Sequence, residues 1–204
     1  VDLRSEGYGG QGGNALHGAG GRGGDGTGGV ALFEVIGVDG IASLTSNDFS
    51  VSGFGGRGGD GRVDPGIATP IGFDGGMGGQ GNGGTIELLT NDGALSLLNG
   101  GEGISLFTRG IGGDGGNGAD NISGSSAVPT FGGNGGFGGM VRGGTVRLTA
   151  NGGSIRTADG DDIEISADLR PGEGGFGGSG VATSSFNPLT GATTSFGGTG
   201  CLAA

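Results

Sequence analysis

Glycine recurs in this chain as doublets separated by single residues, so that a side chain appears only at every third position. Examples are Phe54-Gly-Gly-Arg57-Gly-Gly-Asp60, Asp74-Gly-Gly-Met77-Gly-Gly-Gln80, Ile111-Gly-Gly-Asp114-Gly-Gly-Asn117 and Phe131-Gly-Gly-Asn134-Gly-Gly-Phe137-Gly-Gly-Met140. A helix of the polyproline II type has about three residues per turn, so X-G-G spacing puts every side chain on one side and bare backbone on the other two. Bare backbone can approach bare backbone. Hydrogen bonds between such rods offset part of the large entropy that glycine loses on ordering. Although 62 of the 204 residues are Gly, only five are Pro. Collagen, which needs Gly at every third residue and roughly 15–20% Pro, is excluded.

The tracts come in pairs: Tyr8–Asn14 with Ala19–Gly29, Phe54–Gly61 with Asp74–Gly84, Ile111–Gly118 with Phe131–Met140, and Glu173–Gly180 with Phe196–Gly200. Three of the connecting loops contain Pro (Pro65 and Pro70, Pro129, Pro188), which suits exposed bends. At about 3.1 Å per residue such tracts reach roughly 20–35 Å. Composition alone would also permit a disordered linker. A linker has no use for Phe54, Ile111, Phe131, Phe137, Phe176, Phe196, Met77 and Met140 at the X positions; a packed face does.

Between the tract pairs lie three apolar blocks, Val30–Ser52, Thr85–Thr108 and Thr145–Leu169, whose starts are 55 and then 60 residues apart. Each divides into three short strands, the first turn being Asp39-Gly40, Asn91-Asp92-Gly93 and Asn151-Gly152-Gly153, residues suited to positive φ. Apolar residues alternate, as at Ile86 and Leu88, Val146 and Leu148, and Ile163 and Ile165, with Glu87, Arg147 and Glu164 between them. Period two means strands with one dry face. Asp-Gly and Asn-Gly turns fit hairpins. Three strands in each recurring block also fit one turn of a three-sided β-solenoid, which the need of repeated strands to stack favours. The expected fold is therefore all-β without α-helix, a single repeat domain over 1–204. It comprises an N-terminal glycine hairpin 1–29 and repeats 30–84, 85–144 and 145–204, with strands Val30–Ile36, Thr85–Thr90 and Thr145–Ala150 in the core and paired polyglycine II helices as a lateral bundle.

The blocks resemble the β-solenoid passenger regions of secreted bacterial adhesins of the filamentous-haemagglutinin and autotransporter type. The X-G-G tracts resemble the polyglycine II bundles of glycine-rich antifreeze proteins and phage tail-tip adhesins. These resemblances imply recognition through surfaces, and no catalytic or binding residue carries over from them.

Charge and side-chain chemistry narrow the function. Net charge is −11, so nucleic acid and anionic lipid are not expected partners. No stretch approaches the roughly 20 apolar residues of a membrane span. Gly20-Gly21-Arg22-Gly23-Gly24-Asp25 and Gly55-Gly56-Arg57-Gly58-Gly59-Asp60 match the first six places of a calcium-binding nonapeptide, but Thr27 and Arg62 stand where its large apolar residue belongs. Asp159, Asp161 and Asp162 crowd carboxylates near Glu164 and are the metal candidates, with calcium the ion such oxygens suit. Otherwise no cofactor is expected. Glu87 or Glu164 could serve a polysaccharide-cleaving enzyme, yet the chain has no Trp and only Tyr8 among tyrosines for sugar platforms. His17 and Cys201 have no catalytic partner at readable spacing, and G-x-G-x-x-G matches lack a βαβ context.

Both ends read as parts of an unfinished coil. Val1-Asp2-Leu3-Arg4 mirrors Ala167-Asp168-Leu169-Arg170 at the end of a third strand, and Cys201-Leu202-Ala203-Ala204 falls where a first strand would begin. Val1, Leu3, Tyr8, Cys201 and Leu202 are the expected assembly interface, whether stacking continues between molecules or along a longer chain. The expectation is a non-enzymatic extracellular structural protein, a homopolymer growing head-to-tail into a filament or adhesive fibre, with surface glycans as a further partner. The alternatives are a module binding ice or carbohydrate through a flat repetitive face and, behind it, a β-helix enzyme. Ice binding would favour Thr ladders, whereas Thr85, Thr90, Thr145 and Thr149 stand only at strand ends.

Overall fold

The computed structural model describes residues 3–45, 48–63, 71–97, 104–121, 130–157 and 161–180, and the backbone of 183–187 and 192–196. All regular structure among these residues is β, with no helix. After β1 (Leu3–Tyr8), β2 (Gly26–Thr27) precedes the first block, which forms β3 (Val30–Ile36), β4 (Ile41–Leu44) and β5 (Asp48–Phe54). β6 (Gly81–Asn82) precedes the second, which forms β7 (Thr85–Asn91), β8 (Ala94–Leu97) and β9 (Ile104–Ile111). β10 (Val141–Arg142) precedes the third, which forms β11 (Thr145–Asn151), β12 (Ser154–Thr157) and β13 (Ile163–Arg170), and β14 (Thr183–Asn187) and β15 (Ala192–Phe196) follow.

Strands pair with their counterparts one block away, always in parallel: β3–β7–β11, β4–β8–β12, β2–β6–β10 and β1–β5–β9–β13. The hairpins that Asp-Gly and Asn-Gly would allow inside a block therefore do not form. Among the described residues the one antiparallel pair of strands is β14 with β15, in a segment whose sequence reads as the loop joining two glycine tracts. Its Thr- and Phe-containing runs favour extended backbone once the glycine doublets cease. Residues 1–29 likewise hold more than a glycine hairpin, since β1 joins the sheet of third strands beside β5. The loops carrying Pro65, Pro70, Pro129 and Pro188 lie outside the described residues. No helix of the described residues is long and apolar enough to cross a membrane.

Three of the four parallel sheets enclose one core. In the middle block Ile86 and Leu88 from β7, Leu95 and Leu97 from β8, and Ile104 and Leu106 from β9 are buried, and Phe49 and Val51 join them from β5. Burying each such side chain contributes about 1.5–3 kcal/mol. Two hydroxyls interrupt this core: Thr90 and Thr108 are enclosed and their Oγ1 atoms have no hydrogen-bond partner. Their register partners in the first block are Val35 and Val51, so the site accepts a methyl in place of the hydroxyl. An enclosed hydroxyl without a partner costs about 1–3 kcal/mol. Thr90→Val and Thr108→Val are thus expected each to stabilise the fold by about 1 kcal/mol, read as a rise in Tm of roughly 2–4 °C.

The turns follow the same register with one correction. The residue after the first strand of each block has positive φ: Gly37 (95°), Asp92 (59°) and Gly152 (69°). In the first block the position falls on Gly37 rather than Asp39-Gly40, because residues 37–40 separate β3 from β4 where only two residues separate β7 from β8. The hydrogen bonds Ala94 N to Gly40 O and Ser154 N to Gly93 O then restore the alignment.

Candidate functional site in the glycine bundle and at the ends of the stack

Each glycine tract uses its two glycines differently. The first amide of an X-G-G unit donates to the carbonyl of X in the tract one repeat later, running parallel: Gly9 to Phe54, Gly12 to Arg57, then Gly55 to Ile111 and Gly58 to Asp114, then Gly112 to Arg170 and Gly115 to Glu173. A second row does the same, with Gly20 to Asp74 and Gly23 to Met77, followed by Gly75 to Asn134 and Gly78 to Phe137. The second glycine links the two rows in antiparallel sense: Gly21 to Gly13 and Gly24 to Gly10, Gly76 to Gly59 and Gly79 to Gly56, Gly136 to Gly116 and Gly139 to Gly113. These bonds span 2.7–3.0 Å. The first three tract pairs read from the sequence do bond to each other, and each tract also bonds to the neighbouring repeat, as Gly56 does to Gly24 and Gly59 to Gly21; residues 197–200 of the fourth pair lie outside the described residues.

At this spacing a side chain has no room. A Cβ on Gly116 would land on the carbonyl of Gly59, and one on Gly113 on the carbonyl of Gly56. The second glycines of the first tract differ: a Cβ on Gly10 or Gly13 would meet nothing within 4 Å. The corresponding second glycines one repeat on, Gly56 and Gly59, face the carbonyls of Gly10 and Gly13.

The X residue's own amide points away from these bonds, and carboxylate or amide side chains satisfy it. Asn14 Oδ1 accepts from the Asp60 amide, Asp60 Oδ1 from Asn117, and Asn117 Oδ1 from Phe176, forming one continuous ladder across four tracts. The same contact joins Asp25 to Gln80, Asp74 to Asn134, Asp114 to Glu173 and Asp120 to Ser179. This ladder gives five of the 20 acidic residues, Asp25, Asp60, Asp74, Asp114 and Asp120, a structural task. Its only trace in the sequence is Asp or Asn recurring at X positions of successive tracts.

The ladder also occupies the acids of the calcium-like motifs. Asp25 and Asp60 each pair with the arginine three residues earlier, at 2.7 and 2.8 Å, while capping the next tract. Of the metal candidates, Asp159 lies outside the described residues, Asp161 is buried, and Asp162 is exposed with its carbonyl accepting from the Ile104 amide. Among the described residues no group of three or more His, Cys, Asp or Glu is placed to hold a metal. His17 stands edge-on to Phe73, with ring centroids 4.9 Å apart.

Val1, Cys201 and Leu202 of the expected interface fall outside the described residues, while Leu3 and Tyr8 are both on β1. Leu3 packs against the core, and Tyr8 is exposed, its ring stacked on Phe54 at 4.8 Å. The Tyr8 hydroxyl donates to Glu6 at 2.6 Å, a hydrogen bond that raises the phenol's pKa above its usual value. The ends of the stack differ sharply from its middle. Ile165 is in register with Leu106, yet it is 56% exposed whereas Leu106 is fully enclosed. No protein-family model matches the chain, and no match was found among the curated proteins or the solved structures.

Proposed function

We propose that this chain is a glycine-rich β-solenoid flanked by a polyglycine II bundle. Its role is structural and non-enzymatic: it extends head-to-tail into an extracellular filament or adhesive fibre. The observation that carries this reading is the contrast between Leu106 and Ile165: an inward position that is fully enclosed with a strand on each side stands 56% exposed on β13, the outermost strand of its sheet. Hydrogen bonding supports the same direction of growth. A tract offers first-glycine amides toward the following repeat and X carbonyls toward the preceding one, so the two ends of the stack are complementary and a heterologous contact between copies does not close. Further repeats of a longer chain would extend the same lattice covalently.

Gly10 and Gly13 supply the test. Their Cβ positions are open within one molecule but lie where a preceding unit's carbonyls would sit, as those of Gly10 and Gly13 sit against Gly56 and Gly59. Purified chain at neutral pH is expected to form long unbranched threads under negative-stain microscopy. The double variant Gly10→Ala/Gly13→Ala is expected to keep the parent's melting temperature and remain monomeric in light scattering. A monodisperse parent, or a double variant that still forms threads, would contradict head-to-tail assembly.

A further inference from the structure

The outward face of the sheet β1–β5–β9–β13 carries a groove whose origin is legible in its register. Arg4, Ser50 and Phe107 form one cross-strand row, and Glu6, Ser52 and Arg109 the next. The central strand β5 thus supplies small serines and its neighbours supply large side chains. A cavity of about 160 Å³ results, lined by Arg4, Glu6, Asp48, Ser50, Phe107 and Arg109. That is below the roughly 300 Å³ at which pockets begin to take drug-sized molecules, and suits a single six-membered ring.

Five of the nine arginines, Arg4 and Arg109 of this groove among them, are in no ion pair among the described residues. Arg22, Arg57, Arg147 and Arg170 stand within 4 Å of a carboxylate. Arg109 instead lies over the Phe107 ring, 5.1 Å from its centroid, with its Nε enclosed and without a hydrogen-bond partner. Arg4 faces it across the serine floor and is in no ion pair among the described residues. Guanidinium groups recognise carboxylates in a planar, two-bond fashion. Asp48 and Ser50 add acceptors for hydroxyl hydrogens on the same wall.

We infer that this groove binds one carboxylate-bearing sugar unit, a hexuronate, with its carboxylate between Arg4 and Arg109 and its ring hydroxyls on Asp48 and Ser50. The site lies on the outward face of the sheet and does not depend on head-to-tail assembly, so its failure and that of the fibre are separable. Salt at about 0.15 M screens the chain's overall negative field and leaves the short-range contacts in place.

Titration calorimetry at that salt, with free glucuronate and galacturonate as probes, is the test. Saturable one-to-one binding is expected, with glucose and acetate each at least about tenfold weaker because each lacks half of the recognised groups. Arg4→Gln and Arg109→Gln are each expected to lower uronate affinity at least about tenfold. Arg4 is exposed, so its variant tests the site even if replacing the enclosed Arg109 perturbs the fold. Absence of uronate binding, equal binding of acetate, or unchanged affinity in a folded Arg4→Gln variant would overturn the assignment.

Discussion

Gly116→Ala is expected to destabilise the protein by at least about 3 kcal/mol and to broaden or abolish its cooperative unfolding, whereas Gly13→Ala leaves stability unchanged or slightly raised. The two substitutions are chemically identical, and each lowers the unfolded chain's entropy by the same amount, worth about 0.4–1 kcal/mol in favour of the fold. Only the native surroundings differ. At Gly116 the new methyl meets the backbone of Gly59 and Gly58, which cannot swing aside as a side chain could. The Gly59 amide is itself tied to Gly21, and the Gly116 carbonyl accepts from Gly136, so a shift at one tract strains its neighbours on both sides. At Gly13 the methyl enters open space. Urea unfolding of the two single variants measures the difference. Equal midpoints would mean that the close approach of tracts has no energetic weight.

The sequence reveals this fold unevenly, for physical reasons. Period-two alternation at Ile86 and Leu88 or Val146 and Leu148 identifies strands and their inward faces, and the recurrence of the blocks identifies which strands are equivalent. The first-strand boundaries follow to within a residue, as at Val30–Ile36. Alternation does not, however, report how much cover a residue receives. Ile163 and Ile165 read as dry-face residues, and they do occupy the positions of Ile104 and Leu106, yet Ile165 is exposed because burial depends on what lies on the far side. The turn at Gly37 was obscured by the longer first-block connection, which moves the Asp-Gly dipeptide away from the position that needs positive φ.

The glycine tracts show the same division. X-G-G spacing predicts that bare backbone can approach bare backbone, and glycine amides of neighbouring tracts do donate to one another's carbonyls. What the spacing conceals is the Asp and Asn ladder, because a carboxylate at an X position looks like an ordinary solvated acid until the next tract's amide is placed beside it. The uronate groove is equally hidden. Ser50 and Arg109 are 59 residues apart in sequence, and only the parallel register of β5 and β9 brings their rows together.

The account rests on glycine backbones packing as ordered rods beside the stacked sheets, and amide hydrogen exchange measures that ordering residue by residue. The second-glycine amides of Gly59, Gly76, Gly113, Gly116 and Gly136 each donate to a carbonyl of the neighbouring row, at 2.8–2.9 Å. They are expected to exchange at least about a thousandfold more slowly than in an unfolded chain, comparably with the core amide of Leu106. Exchange of those glycine amides within about tenfold of the unfolded rate, while Leu106 stays protected, would contradict the account and leave only the sheets standing.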